Sequence, residues 1–313
     1  MTPEEAVLAI GEEARRIGFD AHGAAPAAIP EIEKERLDRW LRGGMHGTMG
    51  WMARSASVRK DPALLLPGAR SVWIGAVNYH HPPRAWEGGG RVSIYASGRD
   101  YHKVLRVLLR RLLRTVERVF PGARARPFVD SAPVLEKLLA ERAGVGWRGK
   151  HGNLILPRAG SWFFLGGFLI DRDLAAGEPA ADRCGSCTAC LEACPTGAIT
   201  SPYVVDGSRC ISYLTIEHRG EVAAELARLS GDWVFGCDIC QEVCPWNRFA
   251  TPASRPAFRP RGAASGLTLR KALTLGREGF DRLFEGTPVR RAGWERFRGS
   301  VSRAIDNVSG RGI

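Results

Sequence analysis

Apolar side chains fall at Ala6, Val7, Ile10 and Ala14, a spacing of three to four residues that predicts a helix over residues 4–17. Pro30 opens a second helix, Glu31 to Leu41, which the pair Gly43-Gly44 stops. The stretch Gly44-Met45-His46-Gly47-Thr48-Met49-Gly50-Trp51-Met52-Ala53 holds three of the four methionines. It reads as a loop or irregular helix over something flat and apolar, or equally as ordinary packing by adaptable Met side chains.

A near-continuous apolar run, Ser71 to Tyr79, has the length of a buried strand, and Arg91 to Ala96 that of a shorter one. Tyr101 to Phe120 predicts a long basic amphipathic helix. Ala125 to Asp130 is a strand that ends in Asp130-Ser131-Ala132-Pro133, where Ser131 would cap, and Pro133 begin, a helix running through Val134 to Ala143. Gly144-Val145-Gly146 ends that helix. Asn153 to Leu156 and Trp162 to Ile170 predict a β-hairpin around Pro157-Arg158-Ala159-Gly160. Strands alternating with helices make about the first 175 residues an α/β or α+β unit. After a cysteine-rich stretch, Thr251 to Gly266 is rich in Pro, Ala and Arg and reads as a linker. Leu267 to Leu275, Gly279 to Phe284 and Val289 to Ile305 then predict helices.

Composition narrows the class. With 313 residues, 44% hydrophobic and 25% charged, the chain has room for two domains and the balance of a soluble globular protein. The longest apolar run, Trp162 to Ile170, is about half of a bilayer span. The opening Thr2-Pro3-Glu4-Glu5 starts an acidic helix rather than an export signal, so a cytoplasmic protein with no membrane partner is expected.

All eight cysteines lie between Cys184 and Cys244. Cys184, Cys187, Cys190 and Cys194 form the C-x2-C-x2-C-x3-C-P run that holds an iron–sulfur cluster, the fourth cysteine reaching a different cluster. Cys237, Cys240 and Cys244 close the same way before Pro245, with Cys210 upstream as the missing member. One [4Fe–4S] cluster then takes Cys184, Cys187, Cys190 and Cys244, and the other Cys194, Cys210, Cys237 and Cys240. Disulfides would require a secreted chain. Structural zinc uses paired knuckles rather than a continuous run closed by Cys-Pro.

The net charge of +12 is uneven, since residues 245–313 carry 14 Arg plus Lys against 5 Asp plus Glu. A second basic stretch runs through Lys103, Arg106, Arg110, Arg111, Arg114 and Arg118. Either alone is explained by a solvated face. Together they favour a polyanionic partner such as nucleic acid.

Two clusters alone make an electron carrier of some tens of residues, so the remaining chain does something else. A redox enzyme fed by its own clusters is the economical reading, with an electron-transfer subunit as its rival. There is no dinucleotide-binding G-x-G-x-x-G and no P-loop. Asp100-Tyr101-His102 begins like a cobalt-ligating D-x-H-x-x-G signature but lacks the glycine, which leaves His102 as a helix residue. Asp130 ends an apolar strand at a turn. Partial desolvation there would raise its pKa and suit it to proton delivery, unless it merely caps the following helix.

Phe128-Val129-Asp130-Ser131-Ala132-Pro133, Gly144-Val145-Gly146-Trp147-Arg148-Gly149-Lys150, Gly160-Ser161-Trp162-Phe163, Cys210-Ile211-Ser212-Tyr213 and Gly236-Cys237-Asp238-Ile239-Cys240-Gln241 together resemble the epoxyqueuosine reductase family. The resemblance runs from about residue 5 to the C-terminus in one register, and is looser at Lys150-His151-Gly152-Asn153. It corresponds to the short form, without HEAT-like repeats. It implies an α+β fold, with a nitroreductase-like cobalamin-binding catalytic domain at 1–178, a ferredoxin-like domain with two [4Fe–4S] clusters at 179–250, and a basic helical segment at 251–313.

The activity so implied is reduction of epoxyqueuosine to queuosine at the wobble position of tRNA anticodons. Cobalamin would carry no protein histidine on cobalt. A reductive dehalogenase-like cobalamin enzyme, its relative, is the alternative within the same chemistry. On this resemblance Asp130 is the proton donor. Arg59, Tyr95, Asp130, His151, Asn153, Ser161, Ser212, Tyr213 and Asp238 are candidates for holding cobalamin. His218, Arg219, Arg290, Arg291, Arg296 and Arg298 are candidates for tRNA contact. A monomer served by an external electron donor is expected.

Overall fold

The computed structural model describes residues 2–261 and 266–310, so residues 262–265 of the expected linker, and 311–313, lie outside it. The fold is α+β. Its centre is a four-stranded antiparallel sheet in the order Ala21–Pro26, Ser71–Asn78, Phe163–Ile170, Ala125–Val129. Helices cover both faces, which is why Ser71–Asn78 reads as unbroken apolar residues. Trp73 and Val77 join Ile10, Leu105, Leu109 and Phe168 on one face. Val72, Ile74 and Ala76 join Leu138, Leu139 and Leu169 on the other. Gly167 sits where the strands press closest: a β-carbon there would lie 2.3 Å from the Trp73 carbonyl oxygen.

Helices Pro3–Ile17, Glu31–Arg42 and Tyr101–Val119 form where the apolar periodicity predicts them. The first starts on a capping box between Thr2 and Glu5 and ends on Gly18 in the left-handed region. Three expectations fail. No Asn153–Ile170 hairpin forms, because Leu154–Ile155 pairs instead with Trp147–Arg148, while Phe163–Ile170 fills the slot between two longer strands. Arg91–Val92 stops after two residues, because Ser93 and Ile94 turn to meet the Asp238 carboxylate. The Val289–Ile305 helix is split at Gly293 (φ 75°) into a 3-10 turn, Pro288–Ala292, and a helix, Trp294–Ser309.

A third core draws on distant segments. Trp86, Val234, Phe235, Phe280, Phe297 and Val301 pack together, and the Trp233–Phe235 strand pairs in parallel with Arg91–Val92. The C-terminal segment thus closes against the cysteine-rich unit and the N-terminal unit at once. No helix among the described residues is long and apolar enough to cross a membrane.

Candidate functional site

The turn after the Ala125–Val129 strand carries Asp130 in the left-handed region, φ 32°, a conformation costly for a residue with a β-carbon and concentrated at functional sites. Ser131 does not cap the next helix. Its hydroxyl donates back to the Val129 carbonyl at 3.2 Å, and the helix starts only at Glu136. Asp130 is therefore free of the capping role. Its carboxylate is 41% exposed and faces a half-open groove of about 190 Å³. Tyr79, Tyr95, Phe163, Phe164 and Leu165 contribute the apolar wall, and Glu136, Lys137, Asn153 and Ser161 the polar one.

Three side chains converge on Asp130. The Tyr101 hydroxyl donates to it at 2.7 Å, His102 Nε2 lies at 3.3 Å, and the Arg291 guanidinium at 3.8 Å. Asp100, which caps the Tyr101–Val119 helix, holds His102 Nδ1 at 2.9 Å. His102 is thus clamped between two carboxylates. Burial opposes its charge, but bonds to Asp100 and Asp130 prevail and push its pKa up to about 9. Burial likewise favours the neutral Asp130, yet His102, Tyr101 and Arg291 hold it below the usual carboxylate range. The raised pKa expected for Asp130 is reversed: at neutral pH the proton of this pair sits on His102. Glu136 behaves oppositely, with burial and the Asp130 charge pushing it up to about 8. Two carboxyls line one groove with their pKa values driven apart.

The remaining candidate positions divide by what they touch. Arg59 is buried beneath Trp51, 5.4 Å from its ring, with Glu136 and Asp130 as its nearest charges. Tyr95 stacks edge-on against Tyr101 and Phe164. Asn153 accepts from Lys137 at 2.8 Å. His151 is buried, accepts from the Asn153 amide at 3.1 Å and is pushed down to about 4 by burial; its Nε2 has no partner among the described residues. Ser161 is tied to Gln241 and Asn247 at 3.0 Å each, which fixes the groove against the second cysteine set. Tyr213 holds Thr48 through its hydroxyl at 2.8 Å and so anchors the methionine-rich loop onto the helix that also carries Ser212. Asp238 is 2% exposed, and both its oxygens are taken by Ser93 and Ile94. It lines a separate cavity of about 210 Å³ together with Arg84, Arg91 and Trp233.

The cysteines are all free thiols and fall into two groups. Cys190 is pushed up by burial and then by Cys244, Cys184 and Cys187. Cys240 is pushed up by burial and then by Cys210 and Cys194. Cys240 also feels Cys190, so the two groups lie close to one another. The second set adjoins the groove, since Ser161 on the groove wall accepts from Gln241, the residue after Cys240, at 3.0 Å.

Of the basic candidates Arg219, Arg290, Arg291 and Arg298 are exposed, the first and last without an ion-pair partner among the described residues. Arg290 is paired with Asp281 at 3.0 Å, and Arg291 with Glu217 at 2.5 Å. Arg296 donates to the carbonyls of His218, Ile216 and Ala292. His218 has both ring nitrogens engaged, by Tyr213 and the Glu221 carbonyl. Tyr101, His102, Glu136 and Lys137 escape sequence reasoning as site residues. Only the Asp100-Tyr101-His102 triplet carries a signal, and the missing glycine of the signature it begins points away from it.

Comparison with known proteins identifies the family. A family model described as a 4Fe-4S double cluster binding domain matches residues 183–247. One described as epoxyqueuosine reductase QueG, DUF1730, matches residues 59–131, which end near Asp130. The epoxyqueuosine reductase of Cellulophaga algicola is 43% identical over 282 residues, covering 90% of this chain and 92% of its own. A crystal structure of selenomethionine-labelled epoxyqueuosine reductase superposes with a TM-score of 0.87 at 29% identity, covering 96% of this chain and 80% of that one. Another, holding an epoxyqueuosine-modified tRNA-Tyr stem loop, superposes at 0.84 and 28% identity with the same coverage. With the Cellulophaga identity spread over nine-tenths of both sequences, the chain belongs to the epoxyqueuosine reductase family of oxidoreductases.

Proposed function

We propose that this protein reduces epoxyqueuosine to queuosine at the wobble position of a tRNA anticodon, with electrons relayed through two [4Fe–4S] clusters to a cobalamin in the Asp130 groove. The observation that carries the reading is the Asp100–His102–Asp130 chain, opening onto a groove that adjoins one cysteine set and the cationic Arg291. The net change takes up two electrons and two protons. Both C–O bonds of the epoxide break, a C=C bond forms, and the oxygen leaves as water. The protein must therefore supply protons at a dry site.

The donor sets suit clusters: thiols lie close enough within each set to raise one another's pKa, and the buried indole N–H of Trp147, packed beside Cys184, finds no acceptor among the described residues. For cobalamin, the aromatic wall and the Asn153, Lys137 and Ser161 donors suit one edge of a flat amphipathic ring. The half-open groove of about 190 Å³ would hold that edge alone, leaving the rest of the ring outside it. When bound, the corrin would supply a strong reductant to the cyclopentane ring. His102 holds the proton at Nε2, Asp130 presents it to the leaving oxygen, and Asp100 keeps the imidazole oriented. Glu136, protonated at neutral pH, is a second acid in reach, favoured by its raised pKa. Arg219 and Arg298, the exposed candidates without an ion-pair partner among the described residues, meet tRNA phosphates.

The test is anaerobic reconstitution with cobalamin, a strong reductant and tRNA bearing epoxyqueuosine, followed by mass spectrometry of the digested nucleosides. Cobalamin-dependent loss of one oxygen is expected. Wild-type turnover by both Asp130→Ala and Asp130→Asn would remove the proton-delivery role, and retention by Asp130→Asn with loss in Glu136→Gln would transfer it to Glu136.

A further inference from the structure

Trp147 to Lys150 lies far from the cysteines in sequence, yet it wraps the first set. Lys150 is 8% exposed, and its ammonium donates to the carbonyls of Gly185 at 2.6 Å and Cys187 at 2.9 Å. Trp147 is fully buried and packs against Cys244 and Cys184. Its indole N–H reaches no acceptor at hydrogen-bonding geometry among the described residues. A buried donor left unpaired costs the full desolvation of the group, so this one calls for an acceptor that the polypeptide itself does not supply.

We infer that Trp147 and Lys150 are potential-setting residues for the cluster held by Cys184, Cys187, Cys190 and Cys244. Reduction adds negative charge to a cluster. A buried ammonium beside it, and hydrogen bonds to its sulfurs, stabilise the reduced form and raise the potential. Asp182 opposes this but is exposed, so solvent and salt screen it. The second set has the opposite neighbour, the buried Asp238 next to Cys237. Arg209, bonded to the Thr196 carbonyl at 2.8 Å, is the second set's own cation, but it is less buried than Lys150 and more screened by solvent. The first set also has the exposed thiol, Cys187, so the cluster that an external donor can reach is the one made the better acceptor.

The inference rests on the two-cluster reading, and the experiment separates the two. Full-length protein is reconstituted anaerobically, iron is counted, and midpoint potentials are read by electron paramagnetic resonance. Wild type loading well short of about eight irons per chain would sink the two-cluster reading before any potential is measured. With both clusters present, Cys187→Ala identifies the signal of the first. Lys150→Gln and Trp147→Phe are expected to keep the iron and to lower that one potential, leaving the other unchanged. Lys150→Arg, which keeps the charge, restores it. Full iron with both potentials unchanged in Lys150→Gln and Trp147→Phe overturns the inference. If Lys150→Gln fails to load iron, an unchanged potential in Trp147→Phe, or a failure of Lys150→Arg to load, overturns it in favour of simple packing.

Discussion

Replacing Asp130 with asparagine removes one of the two charges that hold His102 protonated. The structure puts the His102 pKa at about 9 against an ordinary 6.5, a preference for the charged form worth roughly 3 kcal/mol. Asp100 at 2.9 Å and Asp130 at 3.3 Å share it, with Asp130 the more distant partner. The neutral amide should therefore bring His102 down by roughly one pH unit and leave it still above 6.5, since Asp100 remains. The stability linkage follows in sign. A histidine raised in the folded state contributes fully below its unfolded pKa and loses that contribution as pH rises through its folded value. The part of the Asp130→Asn cost linked to His102 should then be about 1.4 kcal/mol near pH 6 and vanish by about pH 10. Turnover should fall by about 100- to 10,000-fold if proton delivery runs through this pair. Selective isotope labelling of the seven histidines and an NMR pH titration of the oxidised, cluster-loaded protein read the value directly, with His102→Gln giving the assignment. A wild-type His102 that titrates near 6.5, or an unchanged value in Asp130→Asn, would refute the clamp.

Other outcomes follow from the same contacts. Arg296→Ala strips three backbone carbonyls of their donor and should lower unfolding stability by about 2–4 kcal/mol, seen as an earlier thermal transition. Arg298→Ala should leave that transition in place and weaken tRNA binding alone, and the wild-type affinity should fall steeply between low and high salt. Tyr213→Phe leaves the Thr48 amide without its acceptor, which should cost about 1–3 kcal/mol and speed limited proteolysis within residues 43–49. Trp73→Ala, at the centre of the sheet with no exposure, should cost about 3–5 kcal/mol.

The parts legible from sequence are those in which the local pattern and the final burial coincide. Ser71–Asn78 is apolar throughout because helices cover both faces, and the cysteine spacing encodes its own partition. Ala21–Pro26, at the sheet edge, has the sequence AHGAAP, with no β-branched or large aromatic residue to announce a strand. The false hairpin has a similar origin. Its turn residues suggest a local partner, but Phe163–Ile170 gains one neighbour along its whole length and a second along five residues by pairing elsewhere. The acid is visible at a strand end, whereas its protonation is not. His102 lies 28 residues away in sequence and meets Asp130 only because the Tyr101–Val119 helix packs back beside the Ala125–Val129 strand. Glu136 reads as an ordinary first-turn glutamate until the groove is formed around it.

The third core has a bearing on how such a protein fails in air. Its strand Trp233–Phe235 runs straight into Cys237, and the same strand is the platform for Phe297 and Val301 of the last helix. On the proposed two-cluster reading, losing iron from the second set would free that strand at one end, and the packing of Phe297 and Val301 beside Val234 and Phe235 would carry the disturbance to the last helix.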